Sequence, residues 1–118
     1  MSGLPVVFFD TPLPDAYRDL VEGRLEVVGP DSGLERAVAV IAGARVRWDA
    51  AMLAGGPSVR VVSRTGIGYD NIDVAACRAR GVEVVYAPAS STHAVAEYVL
   101  ALLCDALRPR DYLDGAAD

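Results

Sequence analysis

The sequence contains no lysine, so its eleven basic side chains are all arginines, against sixteen acidic ones. The formal net charge is −5 and the pI is near 4.7. Binding to nucleic acid requires a basic patch that displaces counterions from the phosphates, and the arginines are scattered rather than clustered. The composition therefore argues against a nucleic-acid-binding protein. Any anionic ligand has to be held by a local group of donors.

Long apolar runs and cysteine-rich motifs are missing as well. Residues 1–14 have neither the positive start nor the long apolar stretch of a signal peptide, and no segment reaches ~18 uninterrupted apolar residues. The two cysteines, Cys77 and Cys104, lie outside any C-x-x-C pattern, which favours buried free thiols over a disulfide or a metal site. With 53% hydrophobic and 23% charged residues, we expect a packed, cytoplasmic globular protein.

Short apolar segments bounded by glycine, proline or aspartate predict five β-strands. They cover residues 6–9, 25–28, 44–48, 60–63 and 82–86. Helices are predicted between them, starting at Asp15, at Asp31 or Ser32, and near Met52, and then over 74–80 and about 91–107. The second of these helices is expected to end at Gly43. Asn71 is a candidate cap for the helix over 74–80, with Asp73 in its first turn, and Gly81 is placed just after its end.

Strands that alternate with helices imply an α/β sandwich with a parallel sheet. For five strands, the flavodoxin-like order 2-1-3-4-5 is expected. The prediction is one domain over residues 1–107, followed by a frayed polar tail over 108–118. The last helix is apolar around its whole circumference, so it requires cover on more than one side, from a partner chain or from a second domain.

The segment over residues 63–73, SRTGIGYDNID, is the main candidate for a ligand site. It follows a predicted strand, and ligands of parallel sheets bind beyond the carboxyl ends of the strands. Gly66 and Gly68 allow positive φ and close approach to the backbone, while Arg47 and residues 91–92 come at the same predicted edge. The pattern indicates a small anion, best a carboxylate, bound by backbone N–H groups. The alternative is a purely structural glycine turn with solvated arginines.

Other sites are weaker in this sequence. A dinucleotide fingerprint, G-x-G-x-x-G, would need a third glycine where Asn71 stands. Asp70 and Asp73 lack the further ligands that a metal would need, so we expect no metal site. His93 is the only histidine, four residues before Glu97, and forms no triad with a nucleophile. No catalytic residue is predicted.

The stretch VVSRTGIGYDNIDVAACRARGVEVVYAPASSTHAVAEYVLALL resembles the N-terminal substrate domain of the D-isomer-specific 2-hydroxyacid dehydrogenases. That family includes phosphoglycerate, glyoxylate/hydroxypyruvate, D-lactate and formate dehydrogenases and the C-terminal-binding-protein corepressors. The match is dense over about residues 59–104 and weaker over 5–58. The resemblance implies a flavodoxin-like substrate domain and a reaction with a 2-oxo or 2-hydroxy carboxylate.

The resemblance also implies roles for particular residues. The backbone N–H groups of Ile67 and Gly68 are expected to bind the substrate carboxylate, with Arg47 nearby and Ser91 as a polar contact. Ile67 and Thr92 are expected to face the nicotinamide. Serine at position 91, where several relatives have asparagine, makes that contact shorter.

The family continues into a Rossmann domain with G-x-G-x-x-G and a catalytic arginine, glutamate and histidine, and these 118 residues contain none of them. His93 does not match the catalytic histidine. The expectation is a substrate domain that is inactive alone, binds no NAD or NADP tightly, and has its last helix covered by a cofactor domain or by a second copy. The alternative is a stand-alone flavodoxin-like ligand-binding or corepressor-like regulatory module.

Overall fold

Five parallel strands form a single sheet in the order β2-β1-β3-β4-β5, as expected for a flavodoxin-like α/β fold. The structure is a computed structural model that describes residues 3–107, and the predicted tail over 108–118 lies outside the described residues. The chain divides into two compact units, residues 1–88 and 89–118. In the first unit the strands are β1 (Val6–Phe9), β2 (Glu26–Val28), β3 (Ala39–Ala42), β4 (Val61–Arg64) and β5 (Glu83–Val85).

One row of side chains crosses the sheet and forms the centre of the core. The register aligns Phe8 with Val40, Val40 with Val62, and Val62 with Val84. Phe8 is 2% exposed, and Val40 and Val62 are fully buried. Burying such a side chain stabilises the fold by about 1.5–3 kcal/mol relative to leaving it in water. The first unit therefore has its own hydrophobic core, to which Trp48 and Leu53 also belong.

The third strand does not lie where the sequence pattern placed it. Residues 39–42, predicted as part of a helix from Asp31 or Ser32 to Gly43, form β3. The predicted strand over 44–48 makes only an isolated bridge between Trp48 and Ile72. The apolar run at 37–42 has helix-like spacing because a central parallel strand buries both faces and is apolar throughout, and short runs of this kind are ambiguous.

The helices of the first unit are short, and several begin at other residues than predicted. They are α1 (Arg18–Val21), α2 (Ala50–Ala54) and α3 (Val74–Ala79). Asp15 starts a 3-10 turn, Asp15–Tyr17, and caps no helix, since its carboxylate accepts a hydrogen bond from Arg18. The cap of α3 is Asp73 rather than Asn71, and its Oδ1 accepts from the Ala76 N–H at 2.9 Å.

A second 3-10 turn, Leu34–Arg36, replaces the helix predicted to start at Asp31 or Ser32. Gly33 precedes it with φ near +98°, and no side chain caps the turn. A Cβ at position 33 would lie 2.6 Å from the Cβ of Val28, so only glycine fits there. Gly81, with φ near +70°, follows α3 as predicted.

The second unit contains the long helix α4 (Thr92–Leu107), in agreement with the predicted bounds. None of its sixteen residues is buried. Its large apolar side chains stand exposed on all sides, among them Val95 (57%), Leu100 (61%) and Leu107 (79%). The helix thus shows the all-round apolar surface that the sequence indicated.

Candidate functional site

Two loops leave the carboxyl edge of neighbouring strands and together form the candidate site. The glycine loop, residues 65–68, follows β4, and the Arg47 segment, residues 43–48, follows β3. The strand register pairs Ala42 with Arg64, so the two loops start side by side. The edge is the one at which ligands bind in parallel α/β sheets.

The glycine loop is anchored near its start on both sides. The Thr65 N–H donates to the Ala42 carbonyl at 3.1 Å, and the Gly66 carbonyl accepts from the Ala87 N–H at 3.1 Å. These bonds extend the ladder of β3, β4 and β5 by one step beyond the strands. The backbone position of the loop is therefore fixed by the sheet.

Beyond Gly66 the loop presents two consecutive N–H groups that the fold does not use. Within residues 3–107, neither the Ile67 nor the Gly68 N–H donates to another group. Both residues are exposed, and the Ile67 side chain is 43% exposed. Two adjacent free donors at a strand end are suited to a carboxylate, which can accept from both.

The two glycines serve different purposes, and neither adopts the left-handed backbone that the sequence suggested. At Gly66 a Cβ would come within 3.1 Å of Nη1 of Arg64, because that guanidinium lies against the glycine. At Gly68 a Cβ would only touch Oδ1 of Asp70 at 3.5 Å, an ordinary contact. A side chain at position 66 would thus require the Arg64 guanidinium to move by a few tenths of an ångström, whereas one at position 68 would be accommodated.

The two arginines at this edge are held differently. Nη1 of Arg64 donates to Oγ1 of Thr65 at 3.2 Å, and its Nε is buried without a partner. The side chain of Arg47 is 69% exposed, and its Nε lies 3.8 Å from Oδ2 of Asp49, too far for a hydrogen bond. Arg47 therefore keeps nearly its full donor capacity for a ligand, and an exposed ion pair of this length contributes little.

Two polar side chains hold the Arg47 segment, and the sequence predicted this role for neither of them. Asp10, 7% exposed, accepts from the Gly43 N–H at 2.7 Å and from Nε1 of Trp48 at 2.9 Å. Nδ2 of Asn71 donates to the carbonyls of Gly43 and Val46 at 2.9 and 2.8 Å. No periodicity could have revealed these bonds, since the partners are 25 to 38 residues apart.

Aromatic side chains border the glycine loop and were also missed. The rings of Tyr69 and Tyr86 have centroids 5.1 Å apart and are tilted by 56°. Both side chains are about half exposed. The pair adds an apolar wall beside the free amides, and only the pairing of β4 with β5 brings the two positions together.

Ser91 and Thr92, the other predicted site residues, belong to the second unit. Thr92 is the first residue of α4, and the Ser91 carbonyl accepts from the Val95 N–H at 2.9 Å. Their part in a ligand site stays a prediction, as do the roles of Ile67, Gly68 and Arg47. Among the residues that the structure describes, no three His, Cys, Asp or Glu side chains come together as a metal site requires. Over the same range, no helix could cross a bilayer.

The sheet order defines an α/β domain of the flavodoxin-like type, with two unused backbone donors in the loop at its carboxyl edge. Residues 31–108 match the family model described as D-isomer specific 2-hydroxyacid dehydrogenase, catalytic domain. The chain therefore belongs to this family.

Individual proteins agree with the family match. D-3-phosphoglycerate dehydrogenase of Mycobacterium leprae is 42% identical over 114 residues, which are 89% of this chain and 21% of that protein. (S)-sulfolactate dehydrogenase of Chromohalobacter salexigens is 42% identical over 81 residues, covering 69% of this chain and 25% of that protein. A crystal structure of D-lactate dehydrogenase from Aquifex aeolicus, complexed with NAD and lactic acid, superposes with a TM-score of 0.69 at 23% identity, covering 85% of this chain and 33% of that one. The chain thus spans about a fifth to a third of the length of these proteins.

Proposed function

We propose that this chain is the substrate-binding part of an NAD(P)-dependent D-2-hydroxyacid dehydrogenase and that its glycine loop holds the substrate carboxylate. The observation that carries the proposal is the pair of unused N–H groups at Ile67 and Gly68, placed at the ligand edge of the sheet. Membership of the dehydrogenase family supports it.

The affinity expected of this site is modest. A hydrogen bond to a charged group contributes about 1.5–3 kcal/mol, so two amides yield about 3–6 kcal/mol before the cost of association. A Kd of 1 mM corresponds to about 4 kcal/mol. We therefore expect the isolated chain to bind a simple 2-oxo acid on the order of millimolar, with Arg47 adding affinity where it can reach a second anion.

The substrate class that fits best is a 2-hydroxy acid with a second anionic group. The names of two relatives, D-3-phosphoglycerate dehydrogenase and (S)-sulfolactate dehydrogenase, both describe such molecules, one with a phosphate and one with a sulfonate. Arg47 offers an exposed guanidinium without a close partner, at the loop beside the two amides. Guanidinium groups bind phosphate and sulfonate oxygens through paired N–H donors.

A nicotinamide cofactor, when bound to the whole enzyme, supplies the acceptor for the hydride from the carbon that bears the hydroxyl. The residues present fit one wall of such a site, because Ile67 leaves an apolar side chain 43% exposed beside the free amides. We propose that Ile67 faces the nicotinamide ring and excludes water from it, and we propose Thr92 separately as a contact of the cofactor. Ser91 is proposed as a polar contact to the substrate. The 118 residues contain no glycine-rich dinucleotide fingerprint, so we expect no tight binding of NAD or NADP to this chain alone.

The 118-residue polypeptide is expected to lack dehydrogenase activity. Its one histidine, His93, is exposed in the first turn of α4 and does not correspond to the catalytic histidine of the family. Carboxylate binding positions a substrate but moves no proton. The check is the absorbance of NADH with glyoxylate or pyruvate and the pure chain, and measurable turnover would contradict the expectation.

A titration followed by ¹H–¹⁵N correlation spectra tests the carboxylate site directly. Glyoxylate is added to the labelled chain, and lactamide, which is neutral, serves as the control ligand. The amide signals of Ile67 and Gly68 are expected to shift with glyoxylate in the millimolar range and to stay in place with lactamide. Equal shifts with both ligands, or shifts only elsewhere in the chain, would refute the proposed role of the loop.

The exposed apolar surface of α4 leads to a proposal about partners. We propose that a cofactor domain or a second copy of the chain covers this helix in the working protein, and that the protein acts in the cytoplasm. Contiguous apolar surface of this kind is rare on monomers. Sedimentation velocity tests the second-copy alternative, since a monomer at all concentrations would exclude it.

A further inference from the structure

The place of Arg47 depends on a segment that has very little sheet structure of its own. Residues 43–48 make one isolated bridge, from Trp48 to Ile72. The Arg47 side chain is exposed and has only the 3.8 Å contact with Asp49. No hydrogen bond holds the guanidinium itself, so the point from which the side chain extends is set by the backbone, and that backbone must be held by other groups.

Two side chains, Asp10 and Asn71, hold the segment, and we call them the polar clamp. Asp10 comes directly after β1, and its carboxylate accepts hydrogen bonds at both ends of the segment, from the Gly43 N–H and the Trp48 indole N–H. Asn71 donates hydrogen bonds to the same segment, at the Gly43 and Val46 carbonyls. The four bonds measure 2.7 to 2.9 Å, shorter than most backbone bonds of the neighbouring loops.

Asn71 also connects this segment to the glycine loop, since it lies three residues after Gly68. Its amide orientation is fixed, because only the NH₂ group can donate to two carbonyls. The other end of the amide, Oδ1, is buried without a hydrogen-bond partner. Backbone bonds reinforce the connection, as the Trp48 N–H donates to the Asn71 carbonyl and the Asp73 N–H donates to the Trp48 carbonyl.

We infer that Asp10 and Asn71 are positioning residues that set the distance between the Arg47 guanidinium and the free amides of Ile67 and Gly68. They thereby favour 2-hydroxy acids whose second anion lies at a fixed reach from the carboxylate. The inference rests on the proposed carboxylate site. Neither residue touches the substrate, so their effect is on selectivity between ligands rather than on carboxylate binding itself.

A double-mutant cycle on the 118-residue chain tests the clamp. Kd values for glyoxylate, which has one anionic group, and for D-3-phosphoglycerate, which has two, are measured by the amide titration for wild type, R47A, N71S and the double variant. Asn71→Ser keeps at most one of the two donors. Cys77→Ala is the control, because it removes a buried side chain in α3 and lowers stability without touching the clamp.

The clamp predicts a selective and non-additive loss. The Kd for D-3-phosphoglycerate is expected to rise about tenfold in Arg47→Ala and in Asn71→Ser. In the double variant it exceeds that of either single variant by no more than about twofold. The Kd for glyoxylate changes less than twofold in all three variants. If Asn71→Ser weakens both ligands equally, or only as much as Cys77→Ala does, the clamp is merely structural and the inference is overturned.

Two further outcomes separate this inference from the proposed function. In the first, wild type binds glyoxylate at Ile67 and Gly68 but does not bind D-3-phosphoglycerate more tightly. This result would support the carboxylate site and overturn the role of Arg47 and its clamp. Wild type that binds neither ligand overturns both. Should Asn71→Ser fail to fold, Asp10→Asn is measured against the same criteria, and unfolding of both variants shows a structural role only.

Discussion

Residues 3–88 and helix α4 are both rich in apolar residues, yet only the first of these regions buries them. In residues 3–88, the side chains of Val40, Val62 and Trp48 are completely buried between the sheet and its short helices. In α4 the corresponding side chains, such as Leu100 and Leu103, are more than half exposed. A single helix has no interior, so its apolar residues contribute to stability only when another surface covers them.

The difference teaches that the same residue type has a different energetic role in each region. In residues 3–88, buried apolar side chains raise the free energy of unfolding. In α4 the apolar side chains stay exposed to solvent, and in the proposal above they are the surface that a partner covers. The chain offers leucines and cysteines in both regions, and these matched pairs allow the contrast to be measured.

The largest expected effect comes from a matched pair of leucines. Leu53 in α2 is 1% exposed and Leu100 in α4 is 61% exposed. Leu53→Ala leaves a cavity in the core and is expected to lower the free energy of unfolding by ~3 kcal/mol, whereas Leu100→Ala changes it by less than ~0.5 kcal/mol. Urea unfolding followed by the fluorescence of Trp48, the single tryptophan, gives both values. A comparable loss from Leu100→Ala would show that α4 is packed in solution.

A smaller effect on the free energy of unfolding distinguishes two aspartates within residues 3–88. Asp73 caps α3, while Asp31 is exposed and caps nothing. Asp73→Ala is expected to cost about 1 kcal/mol of unfolding free energy, and Asp31→Ala less than ~0.5 kcal/mol. The same urea titration measures both. Equal losses would mean that the Asp31 carboxylate has a structural role after all.

These two aspartates also show how far sequence reasoning reaches. Strands β1, β2, β4 and β5, the strand order and the long helix were predictable, because each apolar run is bounded by glycine, proline or aspartate. β3 was misplaced, since its uninterrupted apolar sequence fits a helix as well as a doubly buried strand. The cap predicted at Asp31 or Ser32 was wrong because Gly33, which has no side chain to accept a bond, stands directly before the turn.

The candidate site was predictable only in part. The glycine loop stood out as a break between a strand and a helix, and its place at the sheet edge followed from strand order. The hydrogen bonds that hold the Arg47 segment could not be predicted, because they join Asp10 and Asn71 to residues 25 to 38 positions away. Side chains in contact across such distances leave no local pattern, and for Asn71 the local pattern suggested a helix cap instead.

The smallest effect concerns the two cysteines, one in each region. Cys77 in α3 is completely buried and Cys104 in α4 is exposed. Burial raises the pKa of the Cys77 thiol, and the nearby Asp73 carboxylate adds to the rise. Since the thiolate is the reactive form, a thiol reagent such as DTNB should label one equivalent at once, at Cys104, and the second only as fast as residues 3–88 open. Immediate labelling of two equivalents would contradict the burial of Cys77.

The raised pKa of Cys77 has a consequence for stability at alkaline pH. In the unfolded chain the thiol ionises at a lower pH than in the folded chain, so above that pH the unfolded state binds fewer protons and the free energy of unfolding falls. The contribution is fully present below the unfolded pKa and is lost as the pH rises toward the folded one. Urea midpoints measured across the alkaline range should decline more steeply for wild type than for Cys77→Ala, whereas Cys104→Ala should follow wild type. Parallel curves for wild type and Cys77→Ala would show that the buried thiol ionises as easily as the unfolded one, and with it the contrast between the two regions would lose its electrostatic part.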